Sequence, residues 1–502
     1  MQSTTAFVAA LGSPLGSKQY IENWLNDKIK SLKMDVNLLV DFPNKHAVWN
    51  MLYYCFRSKV NHLQRTVSPH LMFDFLTSFE DMKESIFANT ISGNLERIEW
   101  YQACLPITDG GFGLGFSTVS LYAAYIASCA TSFVFVKQAC PISVQHDLAE
   151  SNRAGIDRCS SWVGDFVLNI ELYKTLCGDP SKTDNVNFYS LINGDYSTDK
   201  IQAKLMLAVD GRLNKDYKRI NADRGKIHKA RYLSTRGKHS GAWLRALSKD
   251  ATVMTSEEFA IAARFRLGMK LPNISNTLRC DCKTAPLVGE CGEHFHACAA
   301  GKEINNTHKS LVKLMQLVSS YAGIQTIYEP SQCFPNTITN ARPDTKLIQP
   351  NLCVNCIHHV ITDCTVTHPG TQTNLKLHSD TKKGISAVVR ENAKNRKYCD
   401  LATANEMHFV PLVFESWGRW GKQLIDFVDS NVQKAWQTRG RSIPFAVLKQ
   451  YWIKRIAVTL QVMNARMFLK RTLRVSSGDL QYDDAQYDNI LNSNVRVSYG
   501  VC

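Results

Sequence analysis

Two groups of residues in this 502-residue sequence have types and spacing suited to chemistry. The first is "CDCKTAPLVGECGEHFHAC" (280–298), where Cys280 and Cys282 stand one residue apart and His294 and Cys298 are separated by three. Thiolates and imidazole are the ligands zinc prefers, and four of them close a tetrahedral structural site. His-x3-Cys suits one turn of helix, which puts both ligands on one face. Cys291 and His296 lie in the same span as spare candidates, and the bland alternative is a set of free buried cysteines. A closed zinc site staples a small loop-rich module and does no chemistry itself.

The second group lies in "RPDTKLIQPNLCVNCIHHVITDCTVTHP" (342–369), where Asp344 follows a proline and Asp363 interrupts an alternating β-branched run. Nucleases that use a divalent metal need oxygen ligands converging on magnesium. Asp344 near a strand start and Asp363 on the next strand converge if the residues between them make a long hairpin. On spacing alone, Pro-Asp reads more readily as a turn. Downstream, in "VVRENAKNRKYC", Lys394 and Tyr398 stand four apart and share a helix face. A lysine beside two carboxylates orients the attacking water or stabilises the pentavalent phosphate. Glu329, ending the preceding strand, is the candidate third oxygen donor. Cys353, Cys356, His358 and His359 also have zinc-ligand chemistry, but successive strand histidines face opposite ways, so a plain hairpin connection is the preferred reading.

The elements that must position these residues follow from periodicity. Residues 18–104 read as helices, with Ile21, Trp24, Leu25, Ile29 and Leu32 at three- and four-residue spacing. The glycine-rich break "LPITDGGFGLG" (105–115) is a weak match to a phosphate-binding turn, since no strand precedes it. "TSEEFAIAARFRLGMKLP" (255–272) carries a capping box from Thr255 to Glu258 and stops at Gly268 and Pro272. A helix is expected over 308–323, strands at "IQTIYE", "HHVITDCTV" and "HFVPLVFES", a helix over about 385–400, and helices to about 474. The expected fold class is α+β: a mostly helical N-terminal half, a small zinc knuckle, then a mixed domain. The boundaries are 1–210 helical, 211–254 a basic linker segment, 255–307 helix plus knuckle, 308–440 the domain with the two acids, and 441–502 C-terminal helices with a frayed tail.

Composition bounds the class. A hydrophobic content of 44% and a charged content of 21% are those of an ordinary globular chain. The net charge of +15 favours polyanionic partners, with a membrane surface as competitor. Residues 212–249 hold 12 Lys or Arg against two Asp, punctuated by Tyr217, Tyr232 and Trp243, a mix suited to phosphate contacts and base stacking, or else a solvated helix face. Sixteen cysteines without a basic, apolar leader point to a reducing intracellular compartment. The uncharged run 116–136 has bilayer-spanning length, yet its hydroxyls and preceding glycines favour a buried core helix and no membrane.

The order Cys-x-Cys, Gly-x-His-x3-Cys, a histidine opening a helix (His308), "RPD", "DCTVTHP" and Lys-x3-Tyr resembles the C-terminal region of non-LTR (LINE-type) retrotransposon reverse transcriptase polyproteins, with their restriction-like endonuclease. "LGSPLGS" (11–17), "GAWLRAL" (241–247), "FRLGMKLP" (265–272) and "FVPLVFESWGRWG" (409–421) are similar to flanking parts of those polyproteins. The resemblance implies Cys280, Cys282, His294 and Cys298 as structural zinc ligands. It implies a PD-(D/E)xK-like nuclease in which Asp344 and Asp363 bind magnesium, with Lys394 and Tyr398 as the displaced lysine pair. The usual lysine position, two after the second acid, is Thr365 here, and Lys382, Lys383 and Lys397 rival Lys394. Glu415 matches a family glutamate without an assigned role. The implied partners are target DNA, element RNA and, in a full-length element, an upstream polymerase domain. The implied place is the nucleus. The polymerase palm itself is not expected here, because the lone Tyr-Asp-Asp (482–484) sits in a polar tail.

Overall fold

The computed structural model describes residues 8–477 apart from 141, 143–145, 147–161, 184–185, 193–199, 299, 336–338, 351–356 and 440. The architecture is α+β, with long helices and two small sheets. The chain divides into two compact units: Met1–Pro43, Val48–Pro106 and Phe112–Ile220 form one, and Asn44–Ala47, Ile107–Gly111 and Asn221–Cys502 the other. The division falls inside the basic segment set apart at 211–254.

The first unit opens on a hairpin, β1 (Val8–Ala10) and β2 (Ser13–Leu15), that the helical periodicity did not announce. Its principal helices are α1 (Lys18–Val40), α2 (Pro69–Thr90), α3 (Ser117–Ala139), α4 (Trp162–Cys177) and α5 (Ile201–Ala222). The uncharged run forms α3, whose Ala123, Ile126, Ala127 and Ala130 are buried against Val163, Phe166 and Ile170 of α4. Thr131, on the exposed face, donates its hydroxyl to the Ala127 carbonyl one turn back. No described helix is long and apolar enough to cross a membrane. The glycine-rich break is not a phosphate cradle. Its amides at 113, 114 and 115 bond the carbonyls of Leu105, Ala103 and Cys104, and its own carbonyls face cations, with Lys83 Nζ 2.7 Å from the Gly115 oxygen.

The second unit holds both candidate sites. Its helices are α6 (Lys226–Thr235), α7 (Ser256–Leu267), α8 (Glu303–Tyr321), α9 (Ile385–Ala404), α10 (Lys422–Thr438) and α11 (Phe445–Ser477). The capping box is present at Thr255 and Glu258, and Gly268 closes α7 in the left-handed region. The sheet runs in the order β3 (Gln325–Tyr328), β4 (Thr345–Pro350), β5 (Ile357–Thr367), β6 (Met407–Glu415). The first three strands are antiparallel, and β6 lies parallel to β5 after the α9 crossover. Pro411, opposite Asp363, is tolerated because β6 is an edge strand. Leu311, Met315, Leu347, Leu412, Leu424 and Ile456 knit α8, the sheet, α10 and α11 into one core.

Two expectations need correction here. The α8 helix starts at Glu303 rather than at His308, so His308 sits in its second turn. The aromatics of the basic segment are interior: Tyr217, Tyr232 and Trp243 are each buried, which removes them from base stacking. Lys215, Lys218, Arg219, Lys226 and Lys238 are exposed.

Candidate metal centres

The knuckle is shaped by backbone pairing before any ion is considered. Cys280 N–H donates to the Pro286 carbonyl and Val288 N–H to the Leu278 carbonyl, both at 2.9 Å, closing a tight loop that returns the chain under Cys282. Gly292 then turns at φ 70°, and a side chain there would strike Phe468 of α11. A short 3-10 turn, Glu293–His296, follows; Cys298 lies beyond it, so the two ligands span a turn and its exit rather than one α-helical turn.

The outcome fits a tetrahedron. Cys280 Sγ and Cys298 Sγ are 3.7 Å apart, Cys282 Sγ and His294 Nε2 are 3.5 Å apart, and all four ligand atoms lie within 4.8 Å of one another. Zinc bonds of about 2.3 Å to sulfur and about 2.0 Å to nitrogen require edges of roughly 3.5–3.8 Å. Hydrogen bonds, first from the Thr284 hydroxyl and then from His294, draw the Cys282 thiol down to about 6, while burial pushes Cys280 up to about 12. This Cys3His cluster can hold a metal such as zinc. Among the described residues, no other set of three or more Cys, His, Asp or Glu side chains converges in this way.

Neither spare candidate joins it. Cys291 is buried apart, and His296 stacks on His368 with ring centres 4.7 Å apart and planes 9° from parallel. Cys353 and Cys356 lie outside the described residues, as do Tyr482 to Asp484; His358 and His359 are successive residues of β5.

The two acids lie on the sheet's middle strands, with Asp363 on the face of β5 that Ile361 shares and that packs against α9. Asp344 immediately precedes β4, and its N–H bonds the Thr362 carbonyl at 2.9 Å. Its Oδ2 accepts from the Cys364 N–H at 2.6 Å and from His308 Nε2 at 3.0 Å. Asp363, only 5% exposed on β5, accepts from Lys394 Nζ at 2.5 Å. The expected lysine therefore reaches an acid. Its rivals are engaged or placed elsewhere: Lys397 Nζ donates to the Tyr398 hydroxyl at 3.0 Å, and Lys382 and Lys383 precede α9, Lys383 beside Arg419 and Arg236. Tyr398 is buried, donates to the Arg342 carbonyl at 2.9 Å, and is pushed far up by burial and then by the charge of Asp363.

Glu329 does not join the acids. It follows β3 at φ 42° with its N–H on the Asp344 carbonyl, and its exposed carboxylate is bonded to the neighbouring Tyr328 hydroxyl. Glu415 has a structural task instead of a ligand's: buried at the end of β6, it accepts the Ala387 N–H in the first turn of α9 and pairs with Arg419 at 3.5 Å. It thus anchors the helix that carries Lys394.

Two contributors carry no spacing signal. His308 reaches Asp344 across 36 residues, and only the order of the motifs hinted at it. Arg471, fully buried on α11, donates to the carbonyls of Phe295, Cys298 and Ala300 and to Glu303 Oε2, tying the knuckle to the first turn of α8. No family model matches the chain, and neither does any curated protein.

Proposed function

We propose that this chain is the metal-dependent DNA endonuclease part of a non-LTR retrotransposon protein, with a PD-(D/E)xK-like fold in the second unit. It nicks target DNA and leaves a 3′-hydroxyl able to prime reverse transcription. The observation that carries this reading is the grouping of Asp344, Asp363 and Lys394 on adjacent strands and the crossover helix, in the order the motif resemblance implies. Asp344 and Asp363 are the residues that would hold magnesium. The bound ion would supply Lewis acidity toward the scissile phosphate.

The protein's own groups do the rest. With its Oδ2 occupied by two donors, Asp344 is held in one orientation, which leaves Oδ1 to face a cation. Asp363 holds Lys394 close by, so its ammonium is placed to take charge developing on the phosphate. Tyr398, one turn beyond Lys394 on α9, hydrogen-bonds Asp363 from the same helix. Structural zinc and the exposed lysines of the basic segment provide the grip on target DNA and element RNA.

A second reading, a nucleic-acid-binding remnant without hydrolysis, is favoured by one feature. The Asp363–Lys394 pair neutralises that acid without any cation. The substitutions Asp344→Ala and Asp363→Ala separate the readings: the endonuclease loses magnesium-dependent nicking by at least ~10³-fold with DNA binding retained. If the unsubstituted chain nicks no DNA at any metal concentration while still binding it, the remnant reading stands.

A further inference from the structure

A cavity of about 280 Å³ adjoins the acid site and has no part in the mechanism above. It lies between the knuckle, α8, the end of β5 and α11. His308, which touches Asp344, forms part of its wall. So does Thr365, two residues beyond Asp363 on the same face of β5 and therefore about 7 Å along the strand. A strand whose phosphate meets the two acids would carry a neighbouring base past this opening.

The lining selects among ligand classes. No Lys, Arg, Asp or Glu contributes to it, so neither an anion nor a hard cation finds a counter-charge. A histidine-bound metal is also unsuited, because the rings of His296 and His368 lie parallel and their nitrogens do not converge on a point. What the cavity offers is mixed. Ile304, Val366 and Met467 are apolar, Asn305 and Thr307 present amide and hydroxyl groups, and the imidazoles of His296, His308 and His368 complete the wall. The Nε2 atoms of His296 and His368 are buried and make no hydrogen bond to the protein. Apolar surface for a π-face together with neutral donors and acceptors for a heterocycle edge is the pattern of a base-binding pocket.

We propose that this cavity receives one nucleobase of the DNA strand being cut, drawn out of the stack beside the scissile phosphate. The proposal rests on the endonuclease reading for the path of the strand. The pocket fixes the register of cleavage, since the base it accepts sets which phosphate lies over Asp344 and Asp363. The stack of His296 on His368 makes one wall of it from a knuckle residue and a strand residue together.

Photocrosslinking tests this without requiring turnover. The full chain carrying Asp344→Ala and Asp363→Ala is bound to single-stranded and duplex oligonucleotides with 5-iodo-deoxyuridine at successive positions, irradiated, and mapped by peptide mass spectrometry. Adducts at His296, His368 or Met467 from one preferred position are expected, and Val366→Trp should reduce them at least tenfold while overall DNA binding changes less than twofold. Adducts confined to exposed basic peptides, or undiminished in a folded Val366→Trp variant, would overturn the proposal. A parallel arm titrates free 2-aminopurine deoxyriboside; saturable binding there without any strand adduct would also overturn it, by assigning the cavity to a mononucleoside. If the unsubstituted chain proves unable to nick while the adduct persists, hydrolysis fails and the base pocket stands.

Discussion

Asp344 spends one oxygen on the Cys364 amide and on His308, and this arrangement makes His308 a positioning residue for whatever the other oxygen holds. His308→Ala should raise the magnesium concentration needed for half-maximal nicking by ~10–100-fold while leaving the rate at saturating metal within a few-fold. His308→Gln, which keeps a donor near the same place, should recover most of the loss; equal defects in both variants would argue against the role. In the proposed nuclease Lys394 acts on the phosphate directly, so Lys394→Ala should lower kcat by ~10²–10³-fold with metal affinity little changed. At this scale the sequence was most informative for the residues that chemistry names by type. Lys394 reaches Asp363, and Asp344 accepts from the amide of Cys364, the residue after Asp363. His308 was legible only as a member of a motif order, because its contact depends on how α8 docks on the sheet. Glu329 was misplaced because a left-handed residue at the end of β3 turns its carboxylate outward, and no pattern in "IQTIYE" foretells that turn.

Helix α7 shows a boundary written in local chemistry: a capping box begins it and a left-handed glycine ends it. Helix α8 shows the opposite case. Its first turn precedes the apolar stripe by five residues, and it forms there because Glu303 is gripped by Arg471 at 3.2 Å and Arg474 at 2.8 Å, both from α11. That tertiary clamp lies about 170 residues away in sequence, beyond any window that periodicity can read. The same clamp couples the knuckle to the acid site, since α8 carries His308. Replacing Arg471 by Leu would leave Glu303 and three carbonyls short of a buried partner and should cost ~3–5 kcal/mol, measured by urea denaturation. Removing a metal held by the Cys3His cluster should act along the same path. Hydrogen exchange after chelation is expected to accelerate across residues 279–300 and the first turn of α8, while the β4–β5 ladder keeps its protection. Uniform acceleration through the sheet would show instead that the knuckle supports the whole unit. Protection unchanged in the first turn of α8 would show that the two are not coupled.

Over the whole molecule, the excess of positive charge predicts polyanion binding, but composition could not say which basic residues face solvent. Arg231 and Arg266 are buried and serve backbone carbonyls, while the neighbouring lysines carry the surface charge. The interior also holds several neutral imidazoles, and these set an acid limit on stability. His46 accepts the Met254 N–H on Nδ1 at 3.3 Å and donates from Nε2 to the Ala246 carbonyl at 3.2 Å, so a second proton on Nδ1 would oppose a donor. Burial draws His46 down to about 4, and likewise His239 to about 4 and His368 to about 3. A histidine lowered in the folded state leaves the unfolded chain holding more protons below pH ~6.5, so stability is complete above that value and is lost as pH falls toward the folded value. For His46 the loss at pH 5 is ~2 kcal/mol, and His239 and His368 add losses of the same sign. Urea midpoints measured between pH 7.5 and 5 should therefore fall steadily for the unsubstituted chain, and less steeply for His46→Gln by about that amount. The exposed His378→Gln serves as the control and should follow the parent curve. A His46→Gln curve that also follows the parent would mean that His46 takes up its proton in the folded state as readily as in the unfolded one, and that the buried pair of backbone contacts does not hold it neutral.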